Sequence, residues 1–185
     1  MNEDKKYSDG TFTKSRFMSF VKSALRKARW GPKYIAKKNA YKKTELNPKS
    51  GKMRKLYECA KCKGLFPGTE IEADHIDPVI GPEGFVDWDT YIERMFVDSD
   101  KFRALCKACH AIVTLQSRYN LSEEESIIRK QAIEFGKLSS TNQIKLFKKI
   151  GLEPVTSKDK RRLVYEKYLE SESKKPKASK TKKKK

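Results

Sequence analysis

The feature that most constrains this chain is a pair of Cys-x-x-Cys motifs set far apart, Cys59-Ala60-Lys61-Cys62 and Cys106-Lys107-Ala108-Cys109. They hold all four cysteines of the protein. Two such pairs supply the four thiolates of a tetrahedral structural zinc, each pair presenting its sulfurs from one tight turn. Thiols paired this way fit a metal in a reducing cytosol better than a secreted disulfide framework, so the expected localisation is cytoplasmic. A simple zinc ribbon separates its pairs by ~15–20 residues, whereas residues 63–105 lie between these. Something has therefore been built inside the clip. Asp74 and His75 stand at its centre and His110 follows the last cysteine, giving one more metal-ligand set and one more base than the zinc needs.

A chain of 185 residues has room for one modest domain with appendages or for two small ones. With 37% apolar and 36% charged residues and no long apolar run, a soluble protein without membrane span or signal peptide is expected. The net charge of +19 is unevenly spread: +13 over residues 1–56, −4 over 57–120, +2 over 121–173 and +8 over 174–185. An acidic centre favours a divalent cation, and basic flanks favour a polyanion such as DNA. For the lysine-rich end alone, improved solubility is an equally good reading.

Residues 1–12 are polar and expected to be loose. From Ser15 to Arg29, Phe17, Phe20, Val21, Ala24, Leu25 and Ala28 recur at helical spacing, opposite Arg16, Lys22, Arg26, Lys27 and Arg29. Those cations, with Lys33, Lys37 and Lys38 after the Gly31-Pro32 break, are the candidate nucleic-acid contacts. Trp30 could stack on a base, although a tryptophan at a helix end more often packs into a core. Residues 47–52 read as a turn, Met53–Tyr57 as extended, and Glu70–Ile76 as a strand by its alternation. Period two puts Glu70, Glu72 and Asp74 on one face and Ile71, Ala73 and His75 on the other, so a bend or bulge is expected to bring Asp74 and His75 to one site. Trp88, Tyr91, Ile92, Met95 and Phe96 predict a short packing helix over residues 88–96. A strand at Phe102–Leu105 and a helix from the second cysteine pair to about Arg118 complete the module.

After Asn120 the pattern becomes helical. Ser122 with Glu125 predicts a capping box, Ser139 and Ser157 predict further starts, and Gly151 predicts a stop. This unit could serve DNA, a protein partner or packing on the preceding module. The Lys174–Lys185 tail is low in complexity and expected to be disordered. The fold class expected is α+β: a basic helical arm (1–52), a zinc-clipped module (53–120), a helical unit (121–173) and the tail (174–185).

The Asp74-His75 pair at the end of an acidic strand, followed by Cys106-x-x-Cys109-His110, resembles the HNH (His-Me finger) endonucleases, of the zinc-clipped kind common in bacteriophages. The resemblance is specific over residues 57–115, looser over Phe20–Trp30, and does not pass about residue 120. It implies a ββα-metal module that hydrolyses DNA phosphodiester bonds, in the host cytoplasm if phage-encoded. It further implies His75 as general base, and Asp74 and His110 as ligands of a catalytic Mg2+ or Mn2+. Cys59, Cys62, Cys106 and Cys109 would hold a separate zinc. One position departs from the pattern: the family's central Asn, which steadies the loop carrying the base, is here Lys101, and lysine cannot accept a hydrogen bond. Asp100 is the neighbour that could substitute.

Two functions follow from these residues, a metal-dependent DNA endonuclease or nickase, and a zinc-stabilised nucleic-acid-binding protein on a catalytically degenerate HNH scaffold. A zinc nucleobase deaminase does not fit. That chemistry needs His-x-Glu with Pro-Cys-x-x-Cys, whereas this chain reads His75-Ile76-Asp77 and already has four cysteines for one zinc.

Overall fold

The computed structural model describes residues 5–174. The fold mixes helix and strand, and the chain divides into two compact units, Met1–His110 and Ala111–Lys185. The division falls inside a helix, after His110, rather than after Asn120. Most of the expected tail, residues 175–185, lies outside the described residues.

The first unit opens with a small hairpin, β1 (Lys5–Tyr7) and β2 (Phe12–Thr13), where loose chain was expected. Its turn runs through Ser8, Asp9 and Gly10, all at positive φ. The hairpin exists because its rings have a helix to pack on: Tyr7 stacks on Phe17 at 4.5 Å, and Phe12 meets Phe20 edge-on at 6.2 Å. Helix α1 (Lys14–Lys27) is capped by the Thr13 hydroxyl, which accepts from Arg16 N–H. Arg26 and Lys27 fall in its last turn, where cations suit the helix dipole. Helix α2 (Gly31–Asn39) follows, with Pro32 in its first turn.

The basic arm is not helical to its end. Residues Tyr41–Leu46 form β3, paired antiparallel with β4 (Met53–Glu58), which pairs in turn with β5 (Leu65–Pro67). Asn47 closes the β3–β4 turn by accepting from Lys49 N–H. Cross-strand charges offset the lysines of β3: Arg54 meets Glu45 at 2.7 Å, and Lys42 meets Glu58 at 3.4 Å. The expected arm is thus tied into the unit by strand pairing, a long-range relation that local composition does not encode.

Strand β6 (Ile71–His75) pairs antiparallel with β7 (Phe102–Cys106), and helix α4 (Lys107–Tyr119) leaves directly from β7. Between the strands lies α3 (Trp88–Met95), capped by the Asp87 carboxylate. Tyr91 and Met95 of α3, Ile71, Leu105 and Cys59 are each 2% exposed or less, marking the centre of this core. Burying a side chain of the Leu, Ile or Met class stabilises by ~1.5–3 kcal/mol. Trp30 belongs to the same unit: its ring meets Phe96 at 5.4 Å, and its Nε1 donates to the Val97 carbonyl at 2.7 Å. It packs rather than presenting itself to a base.

The second unit contains α5 (Glu123–Lys137), α6 (Ser140–Lys149) and α7 (Lys158–Ser173). The capping box of α5 forms, with Ser122 and Glu125 bonding each other's backbone. Gly151, at φ 74°, ends α6 in the left-handed conformation. Phe135 stacks on Phe147 at 5.4 Å and on Tyr165 at 4.4 Å. On α7 Leu163 is exposed and Arg161 is buried. Its Nε donates to Gln143 Oε1 at 2.8 Å, and one terminal nitrogen donates to the Val155 and Thr156 carbonyls at 2.7 Å each. A guanidinium is tolerated there because its donors are satisfied by groups the loop and α6 leave open.

Candidate functional site

The two knuckles meet. Cys59 follows β4, Cys62 sits in the turn beyond it, Cys106 ends β7, and Cys109 lies in the first turn of α4; their sulfurs all lie within 4.8 Å of one another. All four are free thiols. A zinc with Zn–S of ~2.3 Å in tetrahedral geometry needs sulfurs ~3.8 Å apart, so the cluster fits that ion. Local backbone prepares it: Cys106 N–H donates to Cys59 Sγ at 3.3 Å and Cys109 N–H to Cys106 Sγ at 3.5 Å. Burial resists ionisation of Cys59, but backbone N–H groups, led by that of Cys106, bring its thiol down to about 6. Cys106 and Cys109 are pushed up by burial and by the neighbouring thiols.

Around α4 the structure joins Asp74 and His110, the expected ligands of a second ion. His110 Nε2 lies 3.4 Å from Asp74 Oδ1, and His110 Nδ1 lies 2.6 Å from Glu72 Oε2. Arg103 donates from Nε to Asp74 Oδ2 at 3.0 Å, with Nη2 also 3.0 Å away. The hydrogen bond that His110 donates to the Asp74 carboxylate raises the His110 pKa against the opposing effect of burial, and the charges of Asp74 and Glu72 add to it. Neither Glu72 nor Arg103 was a candidate ligand or partner in the sequence. Alternation along β6 already put Glu72 on the Asp74 face; Arg103 is found only through the strand register, where it stands opposite Asp74.

His75 belongs to a different cluster. The β6–β7 ladder carries no bulge, pairing His75 with Phe102 and continuing through Ile76 N–H to the Lys101 carbonyl at 2.9 Å. The bend expected to bring Asp74 and His75 to one face is absent from this strand pair. His75 lies on the Phe102 ring, centroids 4.5 Å apart, with Nε2 3.0 Å from the Met95 carbonyl. A carbonyl can only accept, so Nε2 carries the proton and Nδ1 the lone pair. Burial lowers the pKa of this ring, the Met95 bond and the charge of Asp74 oppose it, and the charges of Lys33 and Arg26 add to the lowering.

Lys101, at the position the resemblance assigns to asparagine, holds the loop after β6 through its main-chain carbonyl rather than its side chain. Asp100 does not substitute: its carboxylate is 71% exposed and lies 3.7 Å from Lys101 Nζ. Beyond the strand is a cavity of about 580 Å³ lined by Asp77, Pro78, Arg94, Val97 and Lys101 among others.

Three of the candidate nucleic-acid contacts have partners within the protein. Arg16 lies over Phe12 at 4.5 Å, Lys22 over Phe85 at 3.9 Å, and Lys37 donates to the Gly68 carbonyl. Arg26, Lys27, Arg29 and Lys38 are exposed, and Lys33 is half-buried. Among the described residues no helix is long and apolar enough to cross a membrane. No protein-family model, curated protein or solved structure matches the chain.

Proposed function

We propose that this protein is a metal-dependent endonuclease or nickase of the HNH kind, hydrolysing phosphodiester bonds in DNA. The observation that carries the reading is His75, neutral and held through Nε2 by the Met95 carbonyl, one residue from Asp74, which itself meets His110 at 3.4 Å. A general base needs an available lone pair near neutral pH, and Nδ1 of this tautomer has one. Two ligand atoms at right angles on an octahedral ion, each at ~2.1 Å, stand ~3.0 Å apart, so Asp74 Oδ1 and His110 Nε2 fit a shared cation once His110 gives up its proton. Such a cation would neutralise charge on the phosphoryl and leaving oxygens. Because His75 and the Asp74–His110 pair leave opposite faces of β6, one phosphodiester serves both only by lying across the end of that strand; there His75 Nδ1 takes a proton from water, the water oxygen bonds to phosphorus, and the P–O3′ bond breaks, the 3′ oxygen leaving with a proton from solvent. A zinc at the cysteine cluster would join β7 and α4 to the end of β4; α4 carries His110, and β7 pairs with β6, which carries Asp74.

The binding-only reading has one observation in its favour. Arg103 and Glu72 close the Asp74–His110 pair into a neutralised ion network rather than an open ligand set. Incubating the zinc-loaded protein with supercoiled plasmid and Mg2+ or Mn2+, beside His75→Ala, Asp74→Asn and a chelator, separates the two. Nicked or linear product that disappears in each control supports the nuclease. Salt-sensitive binding without product under either metal supports the binding protein.

A further inference from the structure

The cavity of about 580 Å³ beyond the end of β6 has no part in the assignments above. It is walled by the stretches of chain that also hold His75. Asp77 follows His75 by two residues, Arg94 and Val97 flank Met95, whose carbonyl meets the His75 ring, and Lys101 precedes Phe102, on which that ring lies. One further wall is the loop from Pro78 to Glu83, which is tied down twice. Gly84 N–H donates to the Gly81 carbonyl at 3.0 Å, and Glu83 meets Arg94 of α3 at 2.9 Å. The opening stands at the strand end that a phosphodiester shared by His75 and the Asp74–His110 pair has to cross.

The lining decides what enters. Asp77, Glu83 and Glu93 outnumber Arg94 and Lys101, so a phosphate group is disfavoured. The three carboxylates do not converge as a metal-holding group would. Glu83 and Arg94 satisfy each other, whereas the carboxylates of Asp77 and Glu93 bond no other described residue. Pro82 and Val97 add apolar surface, and Lys101 adds a donor held only at 3.7 Å by Asp100. Free acceptors, one donor and apolar walls suit a flat, neutral heterocycle that carries amino groups. The volume falls within the ~300–1,000 Å³ of small-ligand pockets, room for one base with its sugar but not for a duplex.

We propose that this cavity takes an unpaired base of the DNA strand, turned out beside the phosphodiester that crosses the end of β6, and favours amino-bearing bases over thymine. This rests on DNA as the substrate, as argued above, and gives that site a specificity. Asp77 and Glu93 accept from the exocyclic amino group, as carboxylates do from cytosine N4, and Lys101 donates to a ring nitrogen or carbonyl. Thymine has no exocyclic amino group to offer them. A base in the cavity cannot also be paired, so DNA already open at one nucleotide is the preferred partner.

The test uses the full, zinc-loaded chain and fluorescent duplexes with one bulged cytosine, one bulged thymine or no bulge. Without added divalent metal, anisotropy should show about tenfold tighter binding to the cytosine bulge than to either other duplex. Asp77→Ala combined with Glu93→Ala should abolish that preference. Glu124→Ala combined with Glu153→Ala, the same change of charge in the second unit, should keep it. Pro82→Trp, which fills the opening but leaves the carboxylates in place, should abolish it too. Equal affinity of the wild type for any two of these duplexes that include the cytosine bulge, or a preference that survives in either cavity variant, overturns the inference. Adding Mg2+ or Mn2+ then tests the underlying reading separately. Cleavage beside the cytosine bulge supports both. Cleavage with no bulge preference overturns the inference and leaves the nuclease reading standing. Bulge-selective binding without cleavage under either metal supports the base cavity and overturns the nuclease reading.

Discussion

Asp74 and Arg103 face each other across the β6–β7 pair, with both Nε and Nη2 of the arginine 3.0 Å from one carboxylate oxygen. The other oxygen of Asp74 is turned toward His110. Arg103 can therefore either hold the carboxylate in position for a cation or compete with that cation for its charge, and the two roles predict opposite effects of removing it.

Under the nuclease reading competition should dominate, because the guanidinium bonded to Asp74 repels a cation held by the same carboxylate. Arg103→Met should tighten Mn2+ binding by about tenfold, ~1.4 kcal/mol at the screening of a partly exposed site. Calorimetric or EPR titration with Mn2+ reads this directly, with Asp74→Asn as the loss-of-site control. Weaker binding in Arg103→Met would assign the arginine the positioning role.

Metal analysis should find one zinc per chain at the cysteine cluster. Cys106→Ser should abolish it, because a hydroxyl does not replace a buried thiolate bonded by Cys109 N–H. Structural zinc carries a large share of the folding free energy in small modules, ~10 kcal/mol or more in zinc-finger peptides. A strong chelator should therefore lower the melting temperature sharply, while an unchanged melt would show that the core around Leu105 and Ile71 holds without the ion.

The two histidines should titrate on opposite sides of the ordinary value of ~6.5. Burial lowers His75, so the unfolded chain takes a proton before the folded one does, and stability falls as pH drops below ~6.5 through the folded pKa. His110 is raised, chiefly by its bond to Asp74, so its contribution is complete below ~6.5 and is lost as pH rises through the folded pKa. Ring-proton NMR titration without added divalent metal checks the order. Under the nuclease reading, and at saturating divalent metal, which keeps His110 deprotonated, the rising limb of kcat/KM against pH should follow His75 and have its midpoint below ~6.5.

In the second unit, Arg161→Met should destabilise by ~1–3 kcal/mol, since it leaves the buried Gln143 Oε1 and two part-buried loop carbonyls without their donor. Lys in its place retains the charge but cannot reach all of these acceptors at once. Denaturant unfolding measures both variants, and a loss under 1 kcal/mol for Arg161→Met would show that water enters and replaces the guanidinium.

Local patterns carried a good part of this protein. The cysteine spacing anticipated the four-sulfur cluster, since chelation by two turns depends on short-range geometry. Alternation along Ile71–His75, periodicity in α1 and α3, and the Ser122–Glu125 cap marked elements whose signals lie within a few residues of each other. The hairpin at β1–β2 and the strand at Tyr41–Leu46 were not legible, because each depends on a partner elsewhere: Phe17 for one and β4 for the other.

For the candidate site the line falls at the same place. Sequence by itself determined which side chains could do chemistry and which strand face each would leave from, because a pleated strand fixes side-chain direction at every second residue. Only the tertiary structure decided their company: Arg103 and Glu72 with Asp74 and His110 on one face of β6, Phe102, the Met95 carbonyl and Lys33 with His75 on the other. Apart from Glu72, which shares β6 with Asp74, those neighbours come from α2, α3, β7 and α4, distant in sequence. Their meeting is set by strand register and by the packing of helices on the β6–β7 pair, and neither is written in any local run of residues.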